Sequence, residues 1–579
     1  MEARAPVATH PPQTAQPAAA ANAADGAAQA GPLPRARRPL KPVADRLLII
    51  GLDGATFETL DPLSAAGRMP NLRAFMERGV AGVLRSTQPP ITPAAWTTFM
   101  TGKGPGRHGI LDFETFDAKT HTLTFNSTYE IREKTLWQLL SEKGLRVGSI
   151  NVPMTYPPKP VNGFMISGFE TPSIEAQFTW PPELKAEIFH QIPDYDYRTN
   201  WRRTALGRFE QLKDNLEYIA RSFEQGAQLT EWCGDKYGWD VLMTVFKLVD
   251  NLQHKAWKYL DPRYKQRFPQ EAELAARCFE RLDEILGRMF AYGERNHATI
   301  LIMSDHGHGS LDGKAQPNLL LARWGYLCLK SSWTQAHTRF RHWWHRLTKG
   351  RATRFEQGSR GIERELAIDW SRTQACVMHA GIYGYLYINL QGRGPHGIVP
   401  PADYERLRDE LAERLRATRI RHADGQVTPI FLHVYKTEEL YGCSREANPN
   451  LPDLLLAPHP GLAVVRKIRG RKPVRWCDLD RLEGTHREEG ILALAGPHVK
   501  RAARLDANII DITPTALAAL GLRVPVDMEG RVIKEAFTTE PIVESEPPLA
   551  PVPAAEAEAY TEEDVKLLEK RLSELGYLQ

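Results

Sequence analysis

The chain has 579 residues, 42% hydrophobic and 25% charged, the balance of a globular protein with one large core or more than one unit. Its 74 basic and 70 acidic residues leave a formal net charge of +4, too small at this length to indicate nucleic acid as a specific partner. Six scattered cysteines (Cys233, Cys278, Cys328, Cys376, Cys443 and Cys477) make no C-x-x-C pair, which excludes a disulfide framework or a thiolate zinc site and points to a reducing compartment.

Residues 1–45 are rich in Ala and Pro and read as a disordered tail. Its alanine run is broken by Asn22, Asp25 and Gln29, so it is no signal-peptide core. No stretch reaches roughly eighteen consecutive apolar residues, and no membrane span is expected. The expected location is therefore the cytoplasm.

Leu47–Ile50 reads as a buried parallel strand ending at Gly51-Leu52-Asp53-Gly54. Functional groups gather at the carboxyl ends of strands in open α/β sheets, and Asp53 stands at one. A helix from Pro70 and a strand over Ala81–Leu84 lead into Pro89–Ile110, PPITPAAWTTFMTGKGPGRHGI. Here Thr92 precedes Pro93 at a helix start. The unpaired donors of such a helix suit an anion. A hydroxyl at that point can attack a phosphorus or sulfur centre once a metal lowers its pKa. Thr135 opens a helix that Gly144 ends, and a strand follows, giving the βα alternation of a doubly wound sheet.

Residues from about 180 to 235 are helical, polar and aromatic, and are expected to form an insertion that overhangs the site. The strand pattern returns at Asp240-VLMTVFKLVDNLQH. Asp250 and His254 are four apart and share a side of a helix, one carboxylate and one imidazole for a metal. Thr299–Met303 is another buried strand, with Asp305 and His306 at its carboxyl end. Residues 330–368 are basic and aromatic, a solvated insertion or a peripheral contact for an anionic surface. Strands are predicted near 383–390 and 450–458, and an amphipathic helix over 402–418. His486 precedes the apolar strand Ile491–Ala495. Thr513 is the predicted N-cap of a helix. Residues 541–559 form a Pro/Ala/Glu-rich linker. Residues 560–579 close the chain with a helix, Thr561 and Asp564 at its start, Gly576 at its end, and Val565, Leu568, Leu572 and Leu575 as its apolar stripe. This helix is expected to dock on the body or on a partner.

Each of these residues has an ordinary reading when taken alone: a capped helix, a turn aspartate, a solvent-facing i,i+4 pair. Together, Asp53, Asp250, His254, Asp305, His306 and His486 supply six oxygen or nitrogen ligands around one hydroxyl, Thr92. Two metals about 4 Å apart need about this many. Histidine and carboxylate without cysteine fit zinc first, then manganese or iron.

The motifs GLDGAT, PPITPAAWTTFMTG, NVPMTYPP, DNLQH, SDHGHG, YLYINLQGRG, THREEGI and DITPTALAALGL occur in this order. In them the chain resembles the alkaline phosphatase superfamily, specifically the type I phosphodiesterase/nucleotide pyrophosphatase family and its prokaryotic predicted phosphodiesterase group. The resemblance implies an α/β fold, a doubly wound, mostly parallel sheet sandwiched by helices, with helical insertions in one catalytic domain over 46–540. It implies two divalent metals, one held by Asp53, Thr92, Asp305 and His306 and the other by Asp250, His254 and His486. It implies that Thr92 attacks a phosphate ester, small-molecule in class, through a phosphothreonine intermediate that water then hydrolyses. A phosphomonoesterase or phosphomutase of the superfamily is the alternative, and a non-catalytic polyanion- or membrane-surface-binding protein a further one. Threonine cannot become the formylglycine of a sulfatase. One position departs from the family: Phe113 stands where nucleotide pyrophosphatases carry a phosphoryl-binding asparagine, which leaves Asn126 or the Thr92–Ala94 backbone to serve.

Overall fold

The apolar run Arg46–Gly51 lies near the middle of a ten-stranded sheet. The computed structural model describes residues 38–196, 201, 208–330, 368–422, 425–445, 448–479, 482–552 and 559–575. The strands run in the order Ala503–Arg504, Val80–Arg85, Glu489–Ala495, Ala298–Met303, Arg46–Gly51, Val241–Val245, Val147–Val152, Gly163–Ser167 and Thr179–Trp180, with Ala507–Asn508 also on Val80–Arg85. Only Glu489–Ala495 and Thr179–Trp180 pair antiparallel with their neighbours. Arg46–Gly51 is parallel to both strands that flank it. Its side chains are buried on both faces, as a sheet covered twice requires. Leu48 and Ile50 meet the helices Pro70–Glu77, Arg208–Tyr237 and Pro269–Arg295. On the other face the helices Thr92–Thr101, Leu136–Glu142 and Ile512–Ala519 pack together. The architecture is thus the expected doubly wound α/β sandwich.

This topology positions the site. The strands ending at Gly51, Arg85, Val245 and Met303 share one direction, so Asp53, Thr92, Asp250 and Asp305 all emerge at one edge of the sheet.

Several elements differ from expectation. The helical segment at about 180–235 also contributes to the core: Leu212, Leu216, Ile219, Phe223 and Cys233 of the long helix are buried in it. Its apolar stripe is wide enough to need a partner helix, Pro269–Arg295, and finds one. Residues 331–367, most of the basic segment, lie outside the described residues, as do residues 1–37. Residues 40–44, counted with the tail, are pinned to the body by Leu40, Val43 and Ala44 N–H groups on the carbonyls of Gly521 and Ala519. Thr513 is not the N-cap: its helix starts at Ile512 after Asp511, and the Thr513 hydroxyl instead donates to the Phe99 carbonyl. Within 46–540 stands a second, antiparallel sheet, in the order Ala375–Ala380, Gly384–Ile388, Leu454–Pro458, Phe431–Lys436. It has its own apolar core, against which Leu407, Leu411 and Leu415 of the helix Tyr404–Ala417 pack.

The linker's described part follows the body. Ser545–Glu546 pairs with Val524–Pro525, and Val552 N–H donates to the Arg132 carbonyl. The last helix spans Glu562–Leu575. Thr561 and Asp564 exchange hydrogen bonds at its start, from Thr561 N–H and Oγ1 to Asp564 Oδ2 and from Asp564 N–H to Thr561 Oγ1. Leu568 and Leu572 are buried; the Leu575 side chain and Gly576 lie outside the described residues. The six cysteines are all free, and no described helix is long and apolar enough to cross a membrane.

Candidate metal centre

Four imidazoles converge at the carboxyl edge of the sheet, and the backbone fixes the orientation of each. The Nδ1 atoms of His254, His306, His308 and His486 lie 2.9, 3.0, 3.0 and 3.0 Å from the carbonyls of Gly484, Gly307, Gly54 and Pro90. A carbonyl only accepts, so each Nδ1 carries the hydrogen and each Nε2 presents its lone pair inward. His254 Nε2 and His486 Nε2 are 3.0 Å apart. Asp250 Oδ1 stands 3.3 Å from His254 Nε2 and 3.4 Å from the Nε2 of both His308 and His486. Asp250, His254, His308 and His486 form one group with ligand atoms within 4.8 Å of one another, and Asp53, Asp250 and His306 form a second.

Asp305 borders the second group, its Oδ2 3.3 Å from His306 Nε2 and its Oδ1 accepting from Gly54 N–H at 3.0 Å. Thr92 opens its helix as the first residue, after the extended Ile91. Its Oγ1 is 3.3 Å from His306 Nε2. One turn on, Trp96 Nε1 donates to Asp53 Oδ2 at 2.9 Å, tying the helix to the carboxylate cluster. All seven residues expected from the sequence are therefore brought together. Asp53, Thr92, Asp250, Asp305 and His306 are 0% exposed.

Two residues of the centre were missed. His308 sits directly opposite His486 in the antiparallel pairing of Gly307–Leu311 with Glu483–Arg487. The signal was present: His306 and His308 are two apart in SDHGHG, and alternate residues of an extended segment share a face. For Lys247 the signal was its i,i+3 spacing from Asp250. Its buried ammonium lies 3.1 Å from Asp53 Oδ1 and 2.5 Å from Asp250 Oδ2, spanning the two groups.

The electrostatics follow from burial. Burial raises Asp53 to about 7, against the pull of Lys247, and raises Asp305 well above the carboxylate range, helped by Asp53. For Asp250 the burial penalty is outweighed by Lys247 and His254, and its pKa falls. Burial holds His486 at about 3 and depresses His254, His306 and His308, which favours the neutral form of all four rings. These residues fit divalent cations. Asp305 Oδ2 and His308 Nε2 are buried with no hydrogen-bond partner, and the His254 and His486 lone pairs face one another. Such groups are costly unless a cation binds them. Gly54 makes room: at φ +69°, its Cβ would lie 2.8 Å from the His308 ring and 3.0 Å from Asp250 Oδ1.

The two residues named for substrate contact diverge. Phe113 packs its ring edge-on to Phe169, centroids 5.7 Å apart, in an apolar cluster with Ile91 and Ala94 on either side of Thr92. Asn126 is engaged in the hairpin after Phe113: its Nδ2 donates to the Asp112 carbonyl and its Oδ1 accepts from Thr115 Oγ1. It lines a separate cavity of about 250 Å³ with Glu114, Arg132, His379 and Asn448.

No curated protein matches the chain in sequence. Among solved structures, phosphonoacetate hydrolase from Sinorhizobium meliloti 1021 in complex with phosphonoformate aligns at a TM-score of 0.47 and 16% identity, over 82% of this chain and 95% of that one. Murine ectonucleotide pyrophosphatase/phosphodiesterase 5 in complex with AMP aligns at 0.47 and 13%, over 83% and 95%. The human form of that protein aligns at 0.46 and 13%, over 82% and 95%. The family model for type I phosphodiesterase/nucleotide pyrophosphatase matches residues 47–490. That span holds most of the chain and every residue of the metal centre, and the protein belongs to the type I phosphodiesterase/nucleotide pyrophosphatase family.

Proposed function

We propose that the protein is a two-metal hydrolase of phosphate esters, phosphodiesters above all, with Thr92 as its nucleophile. The observation that carries this reading is the position of Thr92 Oγ1, buried at a helix start and 3.3 Å from His306 Nε2 beside three carboxylates and four inward-facing imidazoles. Asp250, His254 and His486, joined by His308, suit one divalent cation. Asp53, Asp305, His306 and Thr92 suit the other. Zinc fits the nitrogen and oxygen donors first, then manganese or iron. Such cations, when bound, lower the pKa of a hydroxyl and offset charge on phosphoryl oxygens.

The chain's own residues do the rest. The helix start aims Thr92 Oγ1 at the phosphorus, and its first-turn N–H groups, without intrahelical partners, favour the anionic group. Trp96 holds Asp53, and the Pro90 carbonyl holds His486, so the segment carrying Thr92 also orders ligands of both groups. Attack by Oγ1 forms a phosphothreonine ester as the bond to the leaving oxygen breaks. Water then cleaves that ester and regenerates Thr92. With Phe113 in place of asparagine, an apolar side chain stands beside Thr92 where the family's phosphoryl-binding amide would be, which separates the substrate from that of nucleotide pyrophosphatases.

The test is a substrate screen of wild type and Thr92→Ala, both reconstituted with zinc or manganese. The substrates are bis-(p-nitrophenyl) phosphate, p-nitrophenyl phosphate, thymidine 5′-p-nitrophenyl phosphate and an aryl sulfate. Wild type should favour the diesters, and the variant should lose about a thousandfold or more. Equal rates would overturn the role of Thr92; preference for the monoester would make the enzyme a phosphomonoesterase.

A further inference from the structure

The C-terminal helix Glu562–Leu575 reaches the threshold of the site from the far end of the sequence. Leu572 is buried in one cluster with Ile91, Ala94, Phe113 and Phe169. Ile91 is the residue before Thr92, and Ala94 is two after it. Phe169 belongs to the same cluster as Leu572, and the Lys247 ammonium that pairs with Asp53 and Asp250 lies 5.2 Å from its ring centroid. Phe169 and Lys247 thus link the helix to the carboxylates of the candidate metal centre.

The helix grips the same residue through its backbone. Arg571, also buried, donates to the Phe169 and Thr171 carbonyls at 2.5 and 2.6 Å and to the Pro172 carbonyl at 2.8 Å. Leu568 and Tyr560 also cluster with Tyr156, the two tyrosine rings stacked at 5.6 Å. The opposite face carries Glu562, Glu563 and Lys566, while Leu567 is 41% exposed. A short helix docked through its side chains opens at lower cost than a central sheet.

We infer that the C-terminal helix is a wall of the substrate site, with Leu572 deciding, together with Phe113 and Phe169, how bulky the ester group retained on the phosphorus can be when a diester reaches Thr92. The inference rests on the reading of Thr92 as the point of attack. Small diesters are accommodated with the helix docked. Bulky diesters require it to lift, which takes Leu572 and Arg571 away from Phe169 and leaves the metal ligands, all carried by the sheet's carboxyl edge, in place.

The test compares the full metal-loaded chain with Leu572→Ala, Leu572→Met and a chain ending at residue 552. The readout is the ratio of kcat/KM for thymidine 5′-p-nitrophenyl phosphate to that for methyl p-nitrophenyl phosphate, alongside metal content. Leu572→Ala and the truncated chain should raise this ratio about tenfold, mostly through KM, as enlarging an apolar pocket does. Leu572→Met, nearly equal in volume, should stay within about threefold of wild type. An unchanged ratio in Leu572→Ala would overturn the inference, whether or not the truncated chain retains its metal. Thr92→Ala assayed beside them separates the two readings. If it retains activity, the nucleophile assignment fails; if it is inactive while the ratio stays fixed, only the role of the helix fails.

Discussion

His254 Nε2 and His486 Nε2 face each other across 3.0 Å, each ring locked by a backbone carbonyl on its other nitrogen. Two lone pairs so placed repel unless a cation lies between or beside them. Metal removal by chelator should therefore lower the melting temperature, and stoichiometric zinc should restore it. At a thousandfold excess over Kd, binding contributes about 4 kcal/mol to stability. His486→Ala should leave one tightly bound ion per chain by atomic absorption, and His308→Ala should weaken that same ion's affinity. An unchanged ion count in both variants would mean that this group holds no metal.

Lys247 answers the same charge problem from within the protein. Its ammonium bridges Asp53 and Asp250, so Lys247→Met leaves two buried carboxylates without it. In chelator, denaturant titration should show a loss of about 3–5 kcal/mol, the usual cost of breaking a buried pair. In competition titrations the variant should bind divalent metal more tightly than wild type, because the fixed positive charge is gone. Weaker metal binding in the variant would show that Lys247 supports the cations rather than competing with them.

Gly54 and Gly67 make a matched pair. Both sit at positive φ, +69° and +74°, but a Cβ at Gly67 meets nothing within 4 Å, whereas one at Gly54 meets His308 and Asp250. Gly67→Ala should cost only the backbone term, about 1 kcal/mol. Gly54→Ala should cost about 2 kcal/mol more and reduce metal affinity. Equal effects on thermal stability would show that the centre relaxes freely around the methyl group.

Glu170, next to Phe169, gives a pH dependence with a definite sign. Burial raises its pKa to about 7, against hydrogen bonds from the Thr155 and Tyr156 N–H groups. The folded state thus holds this proton more tightly than the unfolded state, whose carboxyl titrates near 4.5. The stability so contributed is fully present below the unfolded pKa and is lost as pH rises through about 7. Glu170→Gln keeps an acceptor for the two N–H groups and removes the charge. The difference in unfolding free energy between the variant and wild type should grow from pH 5 to pH 8 by an amount on the order of 3 kcal/mol. A pH-independent difference would mean that Glu170 is ionised throughout.

The sequence carried the sheet and most of the centre because both rest on local signals. Apolar runs ending in Asp or His mark strands that are buried on both faces and stop at a common edge. What was illegible depends on tertiary pairing. His308 enters the centre because its strand is zipped to that of His486, and the i,i+2 spacing alone names a face without naming a neighbour. Lys247 and Asp250 are an i,i+3 pair at one helix start, and only the convergence of two strands brings Asp53 to the same ammonium. The stripe on the last helix predicted docking, yet an apolar stripe fixes which face is buried and leaves open what buries it. The strands of the second sheet were readable one by one, but their antiparallel pairing joins residues as distant in sequence as Gly384 and Leu456.

The central claim is covalent, and a covalent measurement reaches it most directly. The metal-loaded enzyme is mixed with excess bis-(p-nitrophenyl) phosphate, quenched in acid before the first turnovers complete, digested and mapped by mass spectrometry. The account predicts one p-nitrophenyl phosphoryl group on the peptide that contains Thr92, localised to that hydroxyl, together with a burst of one p-nitrophenol per chain. The same adduct on another residue, or turnover by Thr92→Ala at the wild-type rate, would contradict it.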